Sequence, residues 1–197
     1  MSHISDIFQK RRSVYALENN IPISDDELKN IIFQSVKHVP SAFNSQSSRL
    51  LLLTKNNHIK LWKDITIKAL KNVAPENNWK KTEEKINMFA NAYGTVLFFE
   101  DMNTVKNLEN KFPDYASNFL IWANQTSAML QYMIWTLFAE NNIGANLQHY
   151  NPLIDNDVIK TFNINPNWKL IAQMPFGSIK NQATQKTYSD ENKVIIL

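Results

Sequence analysis

The sequence predicts one α+β domain over residues 1–197, and three observations carry that expectation. Three runs, at 50–54, 95–99 and 168–174, are dominated by leucine, β-branched and aromatic residues, the composition of strands with at least one buried face. Segments with apolar residues at helical spacing lie between them. One segment, from 113 to about 142, is apolar around most of its circumference. With 44% hydrophobic and 20% charged residues, a chain of 197 residues can bury a proper core and lacks the composition of a disordered one.

Taken in order, residues 4–17 read as a short helix with Ile7 and Phe8 facing inward and Arg11, Arg12 and Ser13 near its end. Ser24 and Glu27 form a capping box, the serine side chain bonding the backbone three residues on while the glutamate reaches back. Leu28, Ile31, Ile32, Val36 and Val39 then keep helical spacing until Pro40 stops the helix. Small amide and hydroxyl residues follow, and the first strand begins at Leu50. Asn57 is the expected cap of a third helix with Trp62, Ile65, Ala69, Leu70 and Val73 on one face. A polar helix over about 79–92 precedes the second strand, and residues 101–112 are weakly helical and charged.

In the long helix, Phe119, Trp122, Ala123, Thr126, Leu130, Met133, Ile134, Leu137 and Phe138 form the main stripe, while Ile121, Met129, Tyr132 and Trp135 fill much of the rest. A helix apolar on most sides is buried on most sides. In a domain this small, that predicts a central helix shared with a partner subunit through a large, obligate interface. Gly144 is expected to end the helix by left-handed capping. Residues 145–151 read as a polar loop and 152–162 as a short helix. The third strand is expected to break at Pro175 and Gly177, and the apolar end at 194–197 to form a last edge strand.

Composition excludes several functions. Without cysteine there is no disulfide, thiolate metal site or cysteine nucleophile, which suits a cytoplasmic setting. No signal peptide is evident, and no apolar run approaches the roughly 20 residues that span a bilayer. The net charge of +3 is spread among acidic neighbours, as in Lys80-Lys81-Thr82-Glu83-Glu84-Lys85, so no nucleic-acid partner is expected. The only glycines, Gly94, Gly144 and Gly177, are too far apart for a dinucleotide fingerprint or a P-loop. His3, His38 and His58 have no metal-like spacing.

Four stretches could carry chemistry. Arg11-Arg12-Ser13 is either a basic helix end or a phosphate contact, since guanidinium groups bind phosphate bidentately. The run from Val39 to Leu53, with Pro40, Ser41, Ala42, Asn44, Gln46 and Arg49, is either a polar turn or a loop that holds a polar heterocycle by its edge. Gln148 and His149 follow the long helix; His149 could donate a proton or simply pack. Lys186, on the polar tail after Gly177, would alone be merely solubilising.

In this order the four stretches resemble the nitroreductase family. Pro-Ser-x-x-Asn-x-Gln before a hydrophobic strand is similar to that family's flavin-contacting loop. The longer run Ser-Ala-Phe-Asn-Ser-Gln-Ser-Ser-Arg resembles a subgroup of small nitroreductases linked to fatty-acid signalling and stress response. The resemblance implies a central mixed sheet flanked by helices, a long helix at a homodimer interface, and FMN held between subunits. It implies FMN contacts at Arg11, Arg12, Ser13, Pro40, Ser41, Ala42, Asn44, Gln46, Gln148, His149 and Lys186, with the amide loop lent by the opposite subunit. Where the family carries a Glu-Gly pair, this chain has Gln148 and His149. Where it carries a basic residue near the flavin, this chain has Tyr15, and Arg49 is the expected substitute. The implied activity is ping-pong transfer of reducing equivalents from NADH or NADPH, through FMN, to nitroaromatics, quinones or similar small acceptors. The alternative is a regulatory FMN-binding homodimer with little turnover. No catalytic side chain and no metal are expected, because the flavin carries the chemistry.

Overall fold

The computed structural model describes residues 3–188. Helix α1 (His3–Lys10) stops short of the expected end at Leu17. Beyond it, Ser13 bridges Ala145 and the Val14 N–H donates to the Ala145 carbonyl at 2.9 Å, so pairing with a distant strand overrides helical continuation. Phe8 is about half exposed and faces Tyr132, ring centroids 5.9 Å apart, rather than pointing into the core. A two-residue strand β1 (Leu17–Glu18) leads to α2 (Asp25–His38). The capping box forms as expected: the Glu27 N–H donates to Ser24 Oγ and the Ser24 N–H to Glu27 Oε2.

Strand β2 (Ser48–Thr54) begins at Ser48 rather than Leu50. A continuous helical run follows, α3 (Lys55–Lys60), a π-helical stretch (Leu61–Thr66) and α4 (Ile67–Lys71). It starts at Lys55, so Asn57 lies inside the helix and is not its cap. Helix α5 (Trp79–Ala90), strand β3 (Gly94–Asp101) and helix α6 (Met102–Lys111) come next. The long helix α7 (Ala116–Glu140) is followed by β4 (Ile143–Ala145), α8 (Asp155–Phe162) and β5 (Trp168–Ile179).

The sheet runs β1-β5-β3-β2, with β4 also on β5, and every ladder is antiparallel. The mixed character implied by the resemblance is confined, among the described residues, to the parallel bridge between Ser13 and Ala145. Neither expected breaker interrupts β5. Pro175 lies opposite Thr95 and offers its carbonyl to the Asn146 N–H, so the missing donor costs one ladder bond and not the strand. Gly177 faces Gly144 across the β4–β5 ladder. A Cβ on Gly144 would come within 2.8 Å of Leu17 Cδ2, and one on Gly177 would run into the Glu18 carbonyl oxygen. Both glycines therefore provide room. The left-handed turn after α7 belongs to Asn142 (φ 57°), whose Oδ1 accepts from Lys10 Nζ at 2.9 Å. The expected strand at 194–197 lies outside the described residues.

Alternation along β3 separates two cores. Leu97 and Phe99 face Trp62, Ile86, Phe89 and Val158 on one side; Val96 and Phe98 face Leu28, Leu130, Ile134 and Phe138 of α2 and α7 on the other. Both faces of β3 are covered, which makes it a nearly continuous hydrophobic run. Among the described residues no helix is long and apolar enough to cross a membrane.

Under α3, His58 is 1% exposed and belongs to a closed polar chain. Its Nε2–H donates to the Ala90 carbonyl at 3.2 Å, which leaves Nδ1 to accept from Thr95 Oγ1 at 2.9 Å, and Thr95 Oγ1 in turn accepts from Trp62 Nε1. Burial lowers the His58 pKa to about 4, outweighing the backbone hydrogen bonds that favour its charge. The unfolded chain therefore takes up this proton first. His58 contributes its full stabilisation above pH 6.5 and loses it as pH falls from 6.5 to about 4. Denaturant unfolding at pH 7 and pH 4 should show a loss of about 3 kcal/mol that is missing in His58→Gln. Gly177→Ala should destabilise by about 1–3 kcal/mol in the same assay, through overpacking against the backbone.

Candidate functional site

The extended segment after α1 turns three of the expected residues, Arg11, Arg12 and Ser13, into one cleft of about 520 Å³. It does so because the sheet grips the next residue: besides the Val14 N–H bond, the Val14 carbonyl accepts from Asn146 Nδ2 at 2.8 Å. The opposite wall is the chain after β5, including Lys186. Arg12 draws that wall across, its Nη2 donating to the Thr184 carbonyl at 2.5 Å. The Arg11 guanidinium lies 4.6 Å above the Trp135 ring of α7, and its buried Nε has no acceptor. Tyr15 lines the same cleft, so the position lacking a basic residue is nonetheless part of it.

The amide loop lies elsewhere. Pro40 is exposed; Ser41 Oγ accepts from the Gln46 N–H at 3.0 Å, and Ala42–Asn44 form a short 3₁₀ turn. Phe43 (φ 54°), Asn44 (φ 51°) and Gln46 (φ 47°) all take the left-handed conformation, which costs about 1–2 kcal/mol for each side-chain-bearing residue. Two anchors hold it. The Phe43 ring sits among Phe112, Tyr115, Phe119 and Trp122, with centroids 4.8–6.0 Å away. At the other end, Glu100 of β3 accepts hydroxyl bonds from both Ser47 and Ser48 at 2.6 Å, and the Asp101 N–H donates to the Ser47 carbonyl. Ser41, Gln46 and Arg49 line a second cleft of about 300 Å³ with Phe33, Val36 and Thr126. The two clefts share no lining residue. Within one chain, the loop and the basic cleft are separate.

Two of the expected contacts have other work. Arg49 donates to the Gln46 and Ser48 carbonyls and pairs with Asp101 at 3.0 Å, so its charge is matched and its donors hold the loop. Within one chain it lines the second cleft, and Tyr15, whose missing base it is expected to replace, lines the first. The Gln148 side chain points inward, where its Nε2 donates to Asn146 Oδ1 at 2.8 Å while its backbone pairs with Gln173. The pairing with β5 fixes that orientation, so Gln148 supports the seam between sheet and N-terminal segment. His149, its neighbour, is exposed. Sequence reasoning missed Asn146, Gln173 and Glu100, each fully buried. Their signal was a lone amide or carboxylate within an otherwise apolar strand or beside one.

Because the loop's backbone strain is offset by ring packing, Phe43→Ala should speed amide exchange at Gln46 by about tenfold, with a smaller effect on β3.

A profile of the nitroreductase family matches residues 8–178. The chain is 30% identical over 180 residues to nitroreductase FRM2 of Saccharomyces cerevisiae, covering 90% of this chain and 89% of that protein. It superposes on nitroreductase CinD from Lactococcus lactis, solved with chloramphenicol, at a TM-score of 0.90 and 41% identity over the whole of both chains. The CinD complex with 4-nitrophenol gives 0.89 and 42% with the same coverage. A nitroreductase with bound FMN from Desulfitobacterium hafniense shares the fold at a TM-score of 0.74 and 15% identity, covering 100% of this chain and 99% of that one. With a basic cleft at its N-terminal segment and an amide loop ahead of β2, this chain belongs to the nitroreductase family of oxidoreductases.

Proposed function

We propose that the chain is an FMN-dependent enzyme that works as a homodimer and passes reducing equivalents from NADH or NADPH to nitroaromatics, quinones or similar acceptors. The separation of the two clefts carries this reading. A flavin has an anionic phosphate at one end and a polar ring edge at the other. One chain offers a cationic cleft and, apart from it, a loop of amides and hydroxyls. A second copy supplies the missing half. The surface of α7 supports it, since Ile121, Met129 and Tyr132 are about half exposed in the single chain, as is Phe8 of α1, and Phe33 of α2 is more exposed still.

The residues fit the cofactor. Arg11, Arg12 and Lys186 bring three cations to the cleft beside the Ser13 hydroxyl, a donor set for a phosphate, and the Arg11 Nε still lacks an acceptor. Pro40, Ser41, Ala42, Asn44 and Gln46, lent by the partner, would hold the polar ring edge. When bound, FMN would supply a two-electron relay in two half-reactions, the first with the nicotinamide and the second with the acceptor. The protein's own task is to bind, orient and limit access, so no acid–base dyad is needed. CinD, solved with the nitroaromatic 4-nitrophenol, supports the acceptor class.

Purified protein should be yellow or become so with FMN, sediment as a dimer, and oxidise NADH or NADPH in the presence of a nitroaromatic. Arg12→Ala and Lys186→Ala should each weaken FMN binding by about 10- to 100-fold while changing riboflavin binding little, since riboflavin lacks the phosphate. A colourless protein that cannot be reconstituted would overturn the reading, and a monomer that binds FMN would overturn the shared site.

A further inference from the structure

Glu100 is a carboxylate at zero exposure that flavin chemistry does not use. It stands near the end of β3, beneath the stem of the amide loop. Both of its oxygens are occupied by hydroxyls of that stem, Ser47 on Oε2 and Ser48 on Oε1, at 2.6 Å each. Ser47 and Ser48 are themselves buried, and they follow directly on Gln46. The neighbouring contacts act on the same stem. The Asp101 N–H holds the Ser47 carbonyl, and Arg49 holds the Gln46 carbonyl while pairing with Asp101. A buried charge is costly unless hydrogen-bonded, so this one persists only while both hydroxyls point at it.

We propose that Glu100 is a positioning residue for flavin binding, acting through the Ser47 and Ser48 hydroxyls to fix the orientation in which residues 41–46 meet the cofactor. The proposal rests on the reading that this loop touches FMN. An ionised carboxylate accepts both hydroxyl protons. A neutral carboxyl offers one acceptor and one donor, and so does a glutamine, so with either one serine hydroxyl must accept instead of donate, and charge-assisted bonds become weaker neutral ones that hold the stem less firmly. Burial, the largest influence, raises the affinity of Glu100 for its proton. The Ser47 and Ser48 hydroxyls and the Arg49 charge oppose this, and the Asp101 charge adds to it. The group therefore titrates above the usual carboxylate range.

Two consequences are measurable with the full chain and FMN as titrant. At pH 7.5, Glu100→Gln should raise the Kd for FMN about tenfold, roughly the difference between a hydrogen bond to a charged group and one to a neutral group. As pH falls, the ratio of variant to wild-type Kd should shrink toward one, because protonated Glu100 comes to resemble the amide; ionisation of the FMN phosphate cancels in the ratio. A ratio that does not change with pH, or stays at one throughout, overturns the proposal. Ser48→Ala, which leaves Ser47 on Glu100, should raise the Kd by about three- to tenfold with a folded circular dichroism spectrum, and an unchanged Kd there also overturns it. Asn44→Ala separates the two readings. If it weakens FMN binding and the Glu100 and Ser48 variants do not, only the positioning role fails. If wild type binds FMN and Asn44→Ala and Gln46→Ala are both silent, the loop's contact with flavin fails and takes the proposal with it.

Discussion

The buried amide of Asn146 is the joint on which the basic cleft depends. Its Nδ2 holds the Val14 carbonyl, its N–H holds the Pro175 carbonyl, and its Oδ1 accepts from Gln148. One residue thus connects the segment after α1 and Gln148, through its side chain, to β5, through its backbone. A buried amide left without partners would cost more than the bonds it makes contribute, so the two side-chain connections stand or fall together. Arg11, Arg12 and Ser13 precede this joint and have no regular structure of their own. Their convergence on one cleft follows from the grip on Val14, not from any preference of the residues themselves.

The same logic holds at the amide loop, where polar anchors at one end and rings at the other fix a strained backbone. Between the two sites lies a sheet covered on both faces, and β3, its most buried strand, touches both cores. The sheet serves as the rigid frame, while the chemistry-bearing residues are carried on loops and on an extended N-terminal segment. Helix α7 contributes to both sites: Trp135 supports Arg11, and Phe119 and Trp122 support Phe43.

Local signals in the sequence were reliable where the physics is local. The capping box at Ser24 and Glu27 needs only four residues, and it forms as read. The composition of β3 and the apolar circumference of α7 were likewise visible, because burial on both faces leaves its mark along one segment. Readings failed where distant partners decide. Gly144 reads as a left-handed helix cap and Gly177 as a strand breaker, yet each sits in a strand where Leu17 or the Glu18 carbonyl leaves no room for a side chain. The ion pair of Arg49 with Asp101 was equally invisible, since 52 positions separate them and the β2–β3 register brings them together. Gln148 reads as part of a polar loop, yet its backbone pairs with Gln173 and its amide turns inward. Residues of the basic cleft were legible only through their order along the chain, since no local rule joins Arg12 to Thr184.

The division of labour between glycine and asparagine has a consequence for the unfolded chain. All three glycines lie outside the left-handed region, while Asn44, Asn142 and Asn163 are among the residues that enter it. Most proteins give both tasks, making room and reversing handedness, to glycine. A chain with so few glycines has a stiffer denatured ensemble, and so less backbone entropy to lose on folding. The local strain of its asparagine turns is set against that saving. The resulting stability resides partly in a state that no contact in the folded structure displays.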